Sequence, residues 1–335
     1  MAVQTTAVMI QSLCVPCRNR CRYCLLSWDG RTEGAPWDRS VRLARRFREE
    51  LRLQRPGVST YFTFGYSMEH PDLREALRTL RSLGSPMAEF LQCDGMKMRS
   101  EEECAGLMTL LREEGVRELN FTVYGPPAYH DAFAGRKGDH ALLLRMMRAA
   151  KREGIPFDTG IPLTRENIGR TEETVRTLRD LGSRRIRLFL PHGEGRGRSL
   201  DPVRLRAGDL DLLSPEDRSL LDRTVYRTEA DWLKDPEPVR ESRRTILISL
   251  RPEHLEELEG RSALSVVEEL EALDEAYYAA FPDFRTLGKA CGDPEGDRLY
   301  RIRDLYAHYR ALYAGAHPME VYDVTDERYS GSRRV

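Results

Sequence analysis

Near its N-terminus the chain reads Val8-Met9-Ile10-Gln11-Ser12-Leu13 and then Cys14-Val15-Pro16-Cys17-Arg18-Asn19-Arg20-Cys21-Arg22-Tyr23-Cys24. Val8–Leu13 is short, largely apolar and suited to a buried parallel strand. The cysteines follow it directly, so they fall in the loop at that strand's C-terminal end, the edge where α/β architectures build their sites. Seven cysteines occur in the chain, four of them within these eleven residues. The odd total, and an N-terminus without a basic start or a small-residue cleavage site, argue against the disulfide framework of an exported protein. They point instead to metal in a cytoplasmic chain.

Three thiolates spaced Cys17-x3-Cys21-x2-Cys24 suit three irons of a four-iron, four-sulfur cluster, leaving the fourth iron open to a small chelating molecule. Tyr23 supplies an aromatic that can shield the cluster or stack on a base. Two rival readings add Cys14. The resulting Cys-x2-Cys-x3-Cys-x2-Cys fits a four-thiolate zinc site, although zinc ribbons put about 12–20 residues between their pairs. It also fits a ferredoxin-like cluster that only carries electrons. Cys93, Cys104 and Cys291 are scattered and read as buried apolar thiols, with Cys93, at a strand end, the one placed to face inward.

Outward from this loop, strand-like and helix-like runs alternate. The strand candidates are Val8–Leu13, Val58–Phe64, Ala88–Cys93, Glu118–Tyr124, Phe157–Leu163 and Arg185–Leu190. Between them apolar residues recur at helical spacing, as in Leu43, Phe47 and Leu51 or Leu73, Leu77 and Leu80. Ser100 and Glu103 make a capping box, and Gly84, Gly115, Gly154 and Gly182 stand where left-handed helix ends are wanted. Such alternation implies right-handed βαβ units. The expected fold is α/β, a partial (β/α)6 TIM-like barrel over residues 1–200; a doubly wound sheet has the same rhythm. After His192-Gly193-Glu194-Gly195-Arg196-Gly197 the rhythm changes. Residues 201–335 read as a mostly helical extension packed on the barrel, with one strand-like run at Thr245–Leu250.

The 335 residues carry 53 Lys plus Arg against 54 Asp plus Glu, a net charge of −1, which argues against a nucleic-acid partner. No apolar run reaches the roughly 18–20 residues of a membrane span.

Cys17-x3-Cys21-x-Tyr23-Cys24 after a first strand resembles the signature of the radical S-adenosylmethionine (radical SAM) enzymes, and the resemblance extends over about residues 8–200. It implies a [4Fe-4S] cluster on Cys17, Cys21 and Cys24, and S-adenosyl-L-methionine as cofactor. In that family a Gly-Gly-Glu-Pro type segment ends the second strand and holds the cofactor's amino group. Here Phe64-Gly65-Tyr66-Ser67-Met68-Glu69-His70-Pro71 occupies that place, so Gly65, Tyr66 and Ser67 are the implied contacts, with Glu and Pro missing. Glu69 reads as a solvated charge at a helix start. Asn120-Phe121-Thr122-Val123-Tyr124-Gly125 resembles the family's fourth strand, which makes Thr122 the implied contact to the methionyl carboxylate. Tyr129-His130-Asp131 followed by Gly135 resembles the loop after it. Thr164-Arg165-Glu166-Asn167 resembles a common ending of the fifth strand, with Asn167 toward the cofactor's polar groups.

The resemblance implies reductive cleavage of the cofactor to a 5′-deoxyadenosyl radical, which takes hydrogen from a substrate. An electron donor such as flavodoxin or ferredoxin is implied as a partner. Only Cys291 lies beyond Cys104, so no second cysteine-rich cluster region is expected; a small-molecule substrate is favoured, a peptide second. The rival of another class is an iron-sulfur electron carrier or structural metal protein that never cleaves the cofactor.

Overall fold

The computed structural model describes residues 3–12, 17–24, 35–64, 67–193, 195–222, 224–235, 243–317 and 333–334. In chain order β1 (Gln4–Ser12) is followed by α1 (Trp37–Gln54), β2 (Ser59–Phe64), α2 (Leu73–Ser82), β3 (Phe90–Gln92), α3 (Glu101–Glu113), β4 (Glu118–Thr122), α4 (Pro127–Ala134), α5 (Asp139–Arg152), β5 (Phe157–Pro162), α6 (Thr171–Leu181) and β6 (Arg185–Phe189). Beyond β6 come α7 (Pro215–Arg218), β7 (Arg227–Thr228), α8 (Glu229–Lys234), β8 (Arg243–Leu250), α9 (Leu255–Glu259), α10 (Ala263–Ala279), α11 (Phe284–Cys291), β9 (Leu299–Tyr300), α12 (Ile302–Ala316) and β10 (Arg333–Arg334).

All six expected strands are present, with ends shifted by a few residues. They pair in parallel as β1-β2 and β3-β4-β5-β6, the open partial barrel. The caps also form. Ser100 and Glu103 close a reciprocal capping box on α3, and Gly84, Gly115, Gly154 and Gly182 all take positive φ.

Residues 201–335 do more than pack on the barrel as helices. β8 pairs in parallel with β1 along its free edge, from Gln4 opposite Arg243 to Ser12 opposite Leu250, so the core sheet extends past residue 200. Buried Arg244 fastens it, donating to Thr5 Oγ1 at 2.9 Å and Asp274 Oδ2 at 2.8 Å. At the opposite end, Leu188 N–H donates to Leu220 O at 3.1 Å and Leu221 bridges Leu188 in parallel, which covers the free edge of β6.

The register divides the sheet's two faces. Leu119, Phe121, Phe157, Ile161, Ile186 and Leu188 share one face and join a core with residues of α3, α5 and α6. Phe121 and Phe157 meet edge to face at 5.6 Å, a geometry worth about 0.5–1.5 kcal/mol beyond area burial. The other face carries Gln92, Asn120, Thr122, Asp158, Gly160, Arg187 and Phe189. Helices bury the first face, where Thr159 is accommodated by a hydrogen bond with Ser183, and most of the polar residues of these strands lie on the second, the barrel interior. Cys93 falls on the helix side, fully buried in the same core as Cys104, and does not face inward.

Candidate active site

The cysteine loop is held against the barrel by its backbone. Arg18 N–H donates to Gly95 O (2.8 Å), Arg20 N–H to Ala134 O (2.8 Å) and Arg22 N–H to Phe133 O (3.0 Å). Cys17, Cys21 and Cys24 are half-buried and unbridged. Cys14, the candidate fourth thiolate, lies outside the described residues. Burial pushes the Cys21 thiol well up; a hydrogen bond with Tyr124 hydroxyl (3.0 Å) opposes this, and the neighbouring charges of Asp94, Cys17 and Cys24 add to it. Crowded, desolvated thiols of this kind become thiolates when a cation pays the electrostatic cost. Among the described residues no three His, Cys, Asp or Glu side chains converge on a single-ion site. A cuboidal cluster takes each thiolate on a different iron, so it asks for sulfurs near one another rather than convergent. The donor set fits such a cluster.

Tyr23 and Thr122 come together beside these thiols. Burial pushes the Tyr23 hydroxyl up, while hydrogen bonds with Tyr124 and Thr122 lower it. Its ring packs against Tyr124 (5.7 Å), Phe133 (5.8 Å) and Phe189 (6.3 Å), which makes an aromatic floor for the loop. Gly65 and Tyr66 lie outside the described residues, and Ser67 opens the single turn Ser67–Glu69. At the end of β2, Thr63 faces the interior, and its buried hydroxyl has no partner among the described residues. That orphan, two residues before Gly65, is what a bound polar ligand satisfies.

Two expectations change. Glu69 is not solvated: its side chain is 4% exposed and pairs with Arg99 at 2.6 Å. Asn167 is saturated within the protein. Its Nδ2 donates to Tyr124 O and Pro162 O, both at 2.8 Å, and its Oδ1 accepts from Thr164 N–H at 2.8 Å. It ties the loops after β4 and β5 together, leaving no amide hydrogen for a cofactor.

The pattern missed a buried relay behind the loop. Asp139, 1% exposed, accepts from Asn19 Nδ2 (2.9 Å), His130 Nε2 (3.0 Å) and Arg136. His130 Nδ1 accepts the Tyr124 N–H at 3.0 Å, which fixes its proton on Nε2. Asp131 instead caps the start of α5, accepting from Gly138 N–H (2.5 Å) and His140 N–H (2.9 Å). Only the local His-Asp pair was visible in the sequence; Asp139 and Asn19 meet across 120 positions.

Asp94, at the end of β3, was also missed. It accepts the Thr122 N–H at 3.0 Å, and burial pushes its carboxyl up to about 6 from an ordinary 3.8, against the opposing hydrogen bonds of Thr122 and Gln92. Between those values the folded chain holds a proton that the unfolded chain has released. Stability therefore falls as pH rises from about 4 through about 6. Asp94→Asn is expected to flatten that part of the curve in denaturant titrations at stepped pH; an unchanged slope removes Asp94 as its source.

The loop after β6 closes the site from the other side, with Arg196 N–H donating to Cys24 O at 3.0 Å. Gly197 explains the glycine content here through close backbone approach: an added Cβ falls 2.1 Å from His192 O. Gly197→Ala is expected to cost about 1–3 kcal/mol through overpacking and to loosen the Cys24 contact. Equilibrium unfolding checks the first, and iron retention in the reconstituted variant the second.

Among the described residues, no helix is long and apolar enough to cross a membrane. The model of the Radical SAM superfamily matches residues 13–178, from the cysteine loop through α6. An AdoMet-dependent heme synthase of Oleidesulfovibrio alaskensis is 26% identical over 188 residues, 55% of this chain and 45% of that protein, so the match spans less than half of its relative. Among solved structures, Streptococcus suis SuiB bound to its precursor peptide SuiA aligns at TM-score 0.42 and 12% identity, covering 57% of this chain and 40% of that one. The Escherichia coli coproporphyrinogen III oxidase HemN aligns at TM-score 0.39 and 14% identity, covering 65% and 50%. With its cysteine signature placed at the C-terminal edge of a parallel, open barrel, the chain belongs to the radical SAM superfamily, enzymes whose cofactors are a [4Fe-4S] cluster and S-adenosyl-L-methionine.

Proposed function

We propose that this enzyme cleaves S-adenosylmethionine reductively and uses the resulting radical to abstract hydrogen from a small organic molecule. The observation that carries this reading is the gathering of Cys17, Cys21, Cys24 and Tyr23, from the loop after β1, with Thr122 at the end of β4. Cys17, Cys21 and Cys24 hold the cluster. When bound, cluster and cofactor together supply a 5′-deoxyadenosyl radical by one-electron cleavage of the sulfonium, the electron coming from a donor of the flavodoxin or ferredoxin class.

The chain's own residues orient and exclude. Thr122 presents its hydroxyl to the methionyl end of the cofactor, and the unpartnered Thr63 hydroxyl donates beside it. The resemblance assigns the amino group to the segment Gly65, Tyr66 and Ser67, of which Gly65 and Tyr66 lie outside the described residues. Tyr23, Tyr124, Phe133 and Phe189 keep water from the reacting centre, which protects a radical from quenching. Asn167 positions the loops that carry these groups and makes no contact itself. A small molecule is favoured because an open cleft adjoins Phe189 and because residues 201–335 contain a single cysteine. The heme synthase relative, named for a small-molecule product, agrees with it.

The test is anaerobic: reconstitute the full chain, reduce it, add S-adenosylmethionine and quantify 5′-deoxyadenosine by mass spectrometry. The expected result is product that depends on an intact Cys24. A loaded cluster that neither binds nor cleaves the cofactor assigns the chain to electron transfer instead.

A further inference from the structure

A cavity of about 1070 Å3 opens between β6 and residues 215–226, just above the roughly 300–1,000 Å3 range for small-molecule sites. Its apolar walls include Phe189, Leu220, Val225 and Tyr226. Its charged groups are Arg187, Arg218, Arg301 and Asp222, an excess of cations in an otherwise balanced protein.

These cations are not equally available. Arg218 is tied to Leu210 O (2.6 Å) and Asp211 Oδ1 (2.9 Å). Arg301 gives its Nε to Tyr226 hydroxyl at 2.9 Å and shares its charge with Asp222, whose carboxylate also accepts from Thr224. Arg187 has no hydrogen-bond or ion-pair partner among the described residues, and its guanidinium fork is the geometry that grips an oxyanion bidentately.

The register relates this cation to the reaction site. Thr122 on β4 stands opposite Gly160 on β5, and Gly160 opposite Arg187 on β6, all on the interior face. Two strand spacings put Arg187 about 10 Å from Thr122. Gly160 leaves the space between them without a side chain except for the Phe189 ring, which sits 3.0 Å from where a Gly160 Cβ would be. Phe189 both lines the cavity and packs on Tyr23, so the cavity and the cofactor loop share one wall.

We propose that this cavity holds the substrate, that the substrate is an organic oxyanion (a carboxylate or phosphate on an apolar body), and that Arg187 anchors its charged end. This rests on the function proposed above. Held at Arg187, the apolar body lies along Phe189 and reaches over Gly160 toward Thr122, where the radical is formed. Arg301 supplies a second, partly engaged cation at the rim.

The reconstituted full chain is titrated with biphenyl-4-carboxylate, biphenyl-4-phosphonate and the neutral biphenyl-4-carboxamide, by calorimetry or saturation-transfer NMR. At least one anion is expected to bind roughly tenfold or more tightly than the amide, and Arg187→Gln to erase the difference without changing thermal unfolding. The better of the two anions identifies the headgroup. Val225→Trp, which fills the cavity, is expected to weaken the anions as well. Amide bound as tightly as both anions, a preference that survives Arg187→Gln, indifference to Val225→Trp, or no anion binding each overturns the proposal. S-adenosylmethionine binding is measured on the same wild-type sample. Cofactor bound without anion removes the cavity alone; no cofactor bound removes the function on which it rests.

Discussion

Cys17→Ala, Cys21→Ala and Cys24→Ala are each expected to abolish the cluster's visible absorbance and reduce 5′-deoxyadenosine to background, whereas Cys14→Ala leaves both. The effect is near total because each thiolate serves a different iron, and with three protein ligands none is redundant. It is also separable from unfolding. Cys21 contributes one sulfur to a floor made by Tyr23, Tyr124 and Phe133, and the loop keeps the backbone bonds from Arg18, Arg20 and Arg22. Truncating a half-buried cysteine to alanine should leave circular dichroism and the unfolding midpoint close to wild type. Iron and sulfide analysis of the anaerobically reconstituted variants decides the matter. A cluster that disappears with Cys14→Ala identifies four-thiolate ligation, which leaves no open iron and defeats the proposed chemistry.

Asp139→Ala is expected to lower stability by about 3–5 kcal/mol, the largest loss anticipated for a residue that touches no ligand. Burial alone raises this carboxyl; the His130 hydrogen bond and the Arg136 charge outweigh it, so the net shift is downward. The stabilisation is therefore present above the carboxyl's ordinary value and is lost as pH falls through its depressed one. Removing the carboxylate strands two buried donors, on Asn19 and His130, and takes one of the acceptors of the half-buried Arg136. Asp139→Asn restores one acceptor oxygen where two were used, so it should fall between alanine and wild type. Denaturant midpoints measure the loss. Iron retention measures its reach, because Asn19 sits between Cys17 and Cys21 and loses its anchor. A variant as stable as wild type, with full iron, reduces the relay to an incidental contact.

Local rules account for much of what was legible beforehand. The strands of the barrel are short apolar runs bounded by turn residues, and their periodicity needs no partner to be recognised. The Ser100–Glu103 box and the four left-handed glycines are governed by backbone groups three or four residues away. The cysteine loop belongs here too: a cluster's ligands sit at fixed short spacings, and Tyr23 takes its place from them. Thr122 was named from the resemblance of its strand to the family's fourth, and its interior facing follows from the register with β5.

The departures are pairings between distant segments. Glu69 reads as a surface charge until Arg99 is folded against it, and Asn167 reads as a free amide until Tyr124 and Pro162 consume its hydrogens. Cys93 could face either side of the sheet, since side-chain direction alternates along a strand and the parity follows only from the register with β4. β8 looked like a strand among helices, but nothing local says that it runs beside β1, more than two hundred residues earlier. The cysteine spacing, with the family resemblance it carries, was enough to name the chemistry, because an iron-sulfur cluster recruits its ligands from one loop. Where the buried charges go, which amides remain free and where Arg187, without a partner among the described residues, meets an apolar wall depend on packing between residues far apart in sequence, and only the folded chain decides them.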